Sequence, residues 1–171
     1  MIKKNKLFEI LVSSNIDFKE HKHQPFFTVE DSTTLRTLTE GTHSKNFFLK
    51  NKKNRFVLFS CEENSIVNLK EFSKNIKMKN LSFAKPEYLN KYLRIKPGSV
   101  SPFALLNDVN NIVEFYLEEL LYKSGKINFH PMINTSTIAL KTSDFIKFMI
   151  NNKKKINIFS ISDNKLIKTY E

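Results

Sequence analysis

A chain of 171 residues with 40% hydrophobic residues, 26% charged residues and 16 phenylalanines has the make-up of one folded domain; at this length about 70% of the unfolded chain's surface can be buried, so disorder is excluded and no linker or second domain is apparent. A single cysteine, Cys61, excludes an internal disulfide framework, and the lack of any apolar run of about 18 residues excludes a membrane-spanning helix. The net charge of +11 favours a polyanionic partner, yet nearly all the cations are lysines, which genome base composition alone can enrich, so the bunching of Lys52, Lys53 and Arg55, and of Lys153 to Lys155, is the more informative feature.

At the N-terminus, Met1 to Ile10 carries lysines and short apolar groups without an h-region or a small-residue cleavage site, which places the expected location in the cytoplasm. The spacing of Leu7, Ile10, Leu11 and Ser14 predicts an amphipathic helix over residues 3–14, with Asn15 as its left-handed terminator. Ile16 and Phe18 alternate as a strand does. His21-Lys22-His23 sets two imidazoles on one face of an extended segment, a pairing that suggests metal, but no third ligand lies nearby and the lone cysteine supplies none. Pro25 breaks the chain, and Thr28 with Asp31 three residues on reads as the start of a helix to about Leu38.

In Gly41-Thr-His-Ser-Lys45-Asn46-Phe-Phe-Leu-Lys50, a cation and an amide stand where an apolar strand enters the core. An ammonium there is a compact charge with three donors, able to steer a phosphate, polarise a carbonyl or bond a hydroxyl; the alternative is a solvated lysine at a strand mouth. Asn51 to Asn54 reads as a turn and Arg55 to Cys61 as the returning strand of a hairpin, which makes Cys61 a core thiol rather than a nucleophile. Asn68 caps a short helix holding Leu69, Phe72 and Ile76, Leu81 to Ala84 form a strand, and Pro86 opens a helix with Leu89, Tyr92 and Leu93.

Lys96-Pro-Gly98-Ser99-Val-Ser-Pro-Phe103 is the most turn-prone stretch of a chain with 3 Gly and 5 Pro. Gly98 lets the backbone approach a ligand, and the N–H groups of Gly98 and Ser99 can form an anion cradle, against the reading of an ordinary loop. Val113, Phe115 and Leu117 alternate as a strand, and Lys126 to Phe129 form another that ends in His130-Pro131. Ile133-Asn134-Thr135-Ser-Thr137 packs polar groups against the apolar Ile138 to Leu140. Thr142 or Ser143 caps a helix with Phe145, Phe148 and Met149, and Ile156 to Ile161 form the last strand. The sum is a mixed α/β or α+β fold in a single domain, residues 1–171.

Lys45-Asn46, Gly98-Ser99 and His130 to Thr135 abut strands in one format and read as one site. The order Gly41...Lys45-Asn-Phe-Phe-Leu, Pro97-Gly-Ser-Val-Ser-Pro-Phe, Asn107-Asp108 and Phe129-His-Pro-Met-Ile-Asn-Thr-Ser-Thr resembles the YbaK and prolyl-tRNA-synthetase-associated editing domains over nearly the whole chain. Within them it is most similar to the freestanding deacylases of the PrdX or ProXp-ala type, whose N-terminal signature His23 to Glu30 also resembles. Two positions depart from the family pattern: Phe47 where leucine is commoner, and Arg94 where a glycine often precedes the loop. Neither touches the matched polar positions.

The resemblance implies a curved mixed sheet, partly closed like a barrel and flanked by helices, with an aminoacylated tRNA 3′ end in a cleft. It implies Lys45 as the catalytic lysine, with Asn46, Gly98, Ser99, His130, Asn134 and Thr135 binding substrate, and neither cofactor nor metal. The implied reaction is hydrolysis of the ester on mischarged proline tRNA, with alanine as the amino acid and cysteine as the alternative; a silent tRNA-binding module and a small-molecule hydrolase are the other readings. The ester is already activated, so placing water and stabilising the oxyanion suffice, with a ribose hydroxyl of the substrate assisting. Imidazole ordinarily titrates near neutrality, so His130 has the chemistry of a base, but the substrate-assisted scheme favours a binding role. The implied partners are proline tRNA charged with alanine and a transient contact with prolyl-tRNA synthetase or an elongation factor, and no membrane.

Overall fold

A computed structural model describes residues 1–25 and 39–171; the helix expected over 28–38, and the part of the His23 to Glu30 segment beyond Pro25, lie outside the described residues. Helix α1, Lys4–Ser13, buries Leu7 and Leu11 and stops at Asn15, whose φ of 54° supplies the left-handed step expected of it. Strand β1, Phe18–Lys22, follows. β2, Thr42–Lys50, and β3, Phe56–Glu62, form the expected hairpin. The Asn51 side chain fixes its turn by accepting from the N–H groups of Lys53 at 2.9 Å and Arg55 at 3.0 Å. Helix α2, Leu69–Asn75, is capped as expected by Asn68, which accepts from Lys70 N and Glu71 N. β4, Ser82–Phe83, pairs with the end of β2.

Pro86 opens the helical turn α3, Pro86–Tyr88, which widens into a π-type turn over Leu89–Leu93. It ends on Arg94 at φ 57°, a left-handed backbone that glycine adopts more readily than a residue with a Cβ. A 3-10 turn, Pro102–Asn107, leads to β5, Val113–Glu118, then α4, Glu119–Lys123, β6, Lys126–Phe129, and β7, Ser136–Lys141. The chain closes with α5, Thr142–Asn151, β8, Ile156–Ser160, and β9, Lys165–Tyr170.

Three expectations need correction. Neither Thr142 nor Ser143 caps α5: the extended Lys141 precedes it without a side-chain cap, and Thr142 is already helical. The strand at Ile156 is not the last, because β9 pairs antiparallel with it; most of β9 is exposed, so no apolar alternation announced it. The sheet is not closed. Its order is β1-β7-β6-β2-β3-β5-β8-β9 with β4 added to β2, leaving β1 and β9 as two separate edges. Helices and turns cover this sheet, so its apolar faces are buried without rolling onto one another.

Strand alternation sorts the side chains into two layers. Phe48, Leu58, Phe115, Ile127, Phe129, Ile138 and Leu140 pack with Leu7 and Leu11 of α1, Phe103, and Phe145 and Phe148 of α5. On the other face Leu49, Val57, Phe59, Tyr116 and Phe159 pack with Phe72 of α2 and Met78. The two halves of the sheet meet where β2 and β6 run parallel, and they pair there only as Thr42 with Ile127 and His43 with Asn128. Beyond that the strands part, and Lys45 lies just past the parting. Among the described residues no helix is long and apolar enough to cross a membrane.

Candidate active site

The pairing register puts all four histidines of the chain on one face of the sheet, together with Lys45. His21 lies opposite Thr137 on β7, Ala139 opposite Asn128 on β6, and Asn128 opposite His43 on β2. His43, Lys45 and Phe47 then follow one another on that side of β2, and His130 continues it beyond β6. Contacts bear this out. His23 Nε2 is 3.0 Å from Thr137 Oγ1, the His23 and His130 rings lie 5.8 Å apart, and His43 Nε2 is 2.6 Å from Thr39 Oγ1.

His130 Nδ1 is 2.7 Å from the Ser136 carbonyl oxygen, which can only accept, so Nδ1 carries the proton and Nε2 of the neutral ring is an acceptor. Burial, opposed by that hydrogen bond, and the neighbouring His23 and His43 hold the imidazole below its usual pKa. His21 is lowered as well, by burial first and then by Lys19 and His23. Two buried polar atoms lack a hydrogen-bond partner among the described residues, His21 Nε2 and Asn128 Oδ1, and both belong to this face. Unsatisfied groups of this kind are costly and mark places that a ligand or water completes.

Lys45 is half-buried. Its Nζ donates to the Ser65 carbonyl at 2.5 Å and lies 5.9 Å from the centre of the Phe47 ring. Ser65 is itself held from below, its hydroxyl donating to both Glu118 carboxylate oxygens at 2.7 and 2.8 Å, while the Glu62 N–H donates to Glu118 at 2.6 Å. Burial pushes the Glu118 carboxyl above its usual range, against the pull of the Ser65 and Glu62 hydrogen bonds and of Lys45. A buried carboxylate thus shapes the loop whose carbonyl aims the ammonium. Sequence reasoning missed Glu118, whose one signal was an acidic residue directly after the alternating Val113, Phe115 and Leu117. Cys61, opposite Lys45 in the register, is fully buried, and burial followed by the Glu118 charge pushes its thiol up to about 12, so it stays protonated at neutral pH.

The remaining expected residues fall elsewhere. Asn46 faces the other layer, where its Oδ1 accepts from the buried Ser60 hydroxyl at 2.5 Å. Gly98 needs its freedom for the backbone, at φ +82°, more than for space: a Cβ there would meet Asn134 Nδ2 at an ordinary 3.6 Å. Ser99 is buried and its N–H donates to Lys96 O at 3.1 Å, so it is spent within the turn and unavailable to the anion cradle expected of it. Ser99 and Asn134 line a groove of about 880 Å³ with Met132, Ile133 and the start of α1, and neither Lys45 nor His130 lines it. Thr135 is exposed, and its carbonyl accepts from His23 N at 3.0 Å. The loop from His130 to Thr135 therefore joins two places, the polar face and the groove at its edge.

Comparison with known proteins points to one family. Residues 23–148 match the model of the aminoacyl-tRNA editing domain. The prolyl-tRNA synthetase associated domain-containing protein 1 of Danio rerio is 32% identical over 148 residues, covering 85% of this chain and 80% of that protein. The prolyl-tRNA editing protein ProX of Acetoanaerobium sticklandii is 30% identical over 138 residues, 80% of this chain and 84% of that one. A crystal structure described as a candidate trans-editing enzyme for prolyl tRNA synthetase matches with a TM-score of 0.67 over 98% of this chain and 99% of that chain; at 13% identity this is a likeness of fold.

Proposed function

The chain belongs to the aminoacyl-tRNA editing domain family, and we propose that it is a trans-editing deacylase that clears a wrong amino acid, alanine in the first place, from proline tRNA. The observation that carries this reading is the Lys45 ammonium, held by the Ser65 carbonyl where β2 and β6 part, on the face that also bears His130. In the reaction, a water oxygen adds to the ester carbonyl carbon, the bond to the ribose oxygen breaks, and that oxygen takes a proton, releasing free amino acid and uncharged tRNA. Lys45 stabilises the negative charge that develops on the carbonyl oxygen. With Nδ1 committed to Ser136, His130 Nε2 accepts from the substrate, which fits a binding role. No thiolate is at hand, since Cys61 is buried and protonated. This suits an ester that needs a placed water rather than a protein nucleophile.

Selectivity follows from shape. A cavity fitted to one methyl group excludes the proline ring by overlap, whereas loss of a methylene contact costs only about 1–3 kcal/mol, so glycine and serine esters are cut as well, more slowly. The test is hydrolysis of proline tRNA charged with alanine, cysteine, serine and proline by the purified chain. We expect the alanine ester to be cleared fastest and the proline ester to be spared. Loss of every ester at the spontaneous rate would end the deacylase reading, and much faster cleavage of the cysteine ester would replace alanine by cysteine.

A further inference from the structure

Six lysines line one groove on the sheet face that bears Lys45. The groove, about 1090 Å³, lies between the β2–β3 turn, which brings Lys52 and Lys53, and α2 with the loop after it, which brings Lys70, Lys74, Lys77 and Lys79. Of the six, Lys74 alone has a carboxylate within ion-pairing distance among the described residues, Glu71 at 4.0 Å. Arg55 at the rim is neutralised within the protein by Glu114 at 2.6 Å. The backbone beneath the lysines is fixed on both sides, by Asn51 in the turn and by Asn68 at the head of α2. Like charges this close repel within a Debye length of about 8–10 Å, and a polyanion relieves them together.

A second groove of about 540 Å³ shares Asn51, Lys52 and Asn80 with the first and adds Phe83 and Tyr88. Phe83 is 63% exposed. Its ring stands edge-on to Phe47, 5.5 Å between centres at 87°, and Phe47 in turn lies beside Lys45 Nζ. A continuous line therefore runs from Lys45 through Phe47 to an exposed aromatic ring and on to the unpaired lysines.

We propose that this surface docks RNA, the lysines following the phosphates of a paired arm and Phe83 stacking an unpaired base of the 3′ end on its way to Lys45. Cations track the backbone without reading sequence, and any base offers a face to an aromatic ring. The naming of the RNA as proline tRNA rests on the deacylase reading above; the assignment of the surface rests on its own geometry.

The test measures binding of uncharged proline tRNA by fluorescence anisotropy across a KCl series. The groove variant Lys70→Gln/Lys74→Gln/Lys77→Gln should bind about tenfold or more weakly than the parent, with a log affinity against log salt slope shallower by about two to three, as loss of three phosphate contacts requires. The control Lys141→Gln/Lys147→Gln/Lys153→Gln removes the same charge from exposed positions around α5 and should stay within about twofold. Removing the unpaired 3′ nucleotides from the RNA should weaken binding to the parent about fivefold or more, and Phe83→Ala should abolish that difference while Phe83→Trp keeps it. Equal losses in both triple variants would assign the attraction to net charge and overturn the groove. A difference that survives in Phe83→Ala would overturn the stacking. Parental tRNA binding by the groove variant, with loss of binding to prolyl-tRNA synthetase, would make the groove a protein dock instead. Melting curves confirm that each variant is folded. Because the RNA is uncharged, failure here condemns the surface, whereas failure to hydrolyse charged tRNA condemns the reaction.

Discussion

The face of the sheet that bears Lys45 is divided. Over β3, β5 and β8 it is dry and aromatic, with Phe59 stacked on Phe72 at 4.5 Å and Tyr116 and Phe159 edge-on to Phe72. Over β1, β7 and β6 the same face presents His21, His23, Thr137, Asn128 and His130. The first half maximises buried apolar area, whereas the second holds buried polar atoms that lack partners among the described residues. Lys45 stands on the border, with Phe47 on one side and His43 on the other. The packed half is built for stability, and the proposed chemistry belongs to the polar half and its border, a division that mutation can test.

The largest effect should come from the dry half. Phe72→Ala removes a fully buried ring and is expected to cost about 3–5 kcal/mol, a fall in Tm on the order of 10 °C for a chain of this size, while hydrolysis persists at temperatures where the variant stays folded. Abolished hydrolysis in the folded variant would show that the halves are not separable. At the border, Lys45→Ala should slow deacylation by about a hundredfold or more and leave Tm within a few degrees, because the ammonium bonds one loop carbonyl and packs against one ring. A parental rate in that variant would remove Lys45 from the chemistry.

In the polar half the effect is smaller and depends on pH. Folding lowers the pKa of His130 below the ordinary value of 6.5, so the unfolded chain binds the proton more readily, and stability present at neutral pH is lost as pH falls through about 6.5. His21 shifts in the same direction. Tm should therefore decline between about pH 7.5 and 5, and His130→Gln should make the decline shallower. Superimposable pH profiles of parent and variant would show that the shift at His130 does not contribute.

Much of this arrangement was legible in the sequence wherever an element carries its own punctuation. Asn15 ends α1, Asn68 caps α2, Pro86 opens α3, and the Asn51 to Asn54 turn separates two apolar strands. What escaped lacks such signals. β9 is largely exposed and shows no apolar stripe, α4 is five residues long, and a sheet's failure to close is a global property that no local pattern encodes. In the site, Lys45 and His130 were visible as polar residues against apolar strands. The direction of Asn46 follows from strand parity and needed only Lys45 as reference, yet proximity in sequence suggested a shared role that the pleat divides between two faces. The acidic end of β5 was visible, but the role of Glu118 was not, because its partner Ser65 lies 53 residues away.

The two-position join of β2 to β6 also bears on how the molecule comes to exist. β2 with β3 and β6 with β7 are near neighbours in the chain and can pair early, whereas His43 must find Asn128 across 85 residues, a closure whose entropy is met by only two backbone pairings. Zipping of that seam should come late, and amide exchange should report it as weaker than the hairpins on either side. A chain arrested before that step would carry Lys45 and His130 on separate, well-formed hairpins, each side chain in place on its own strand pair but the two no longer sharing one face.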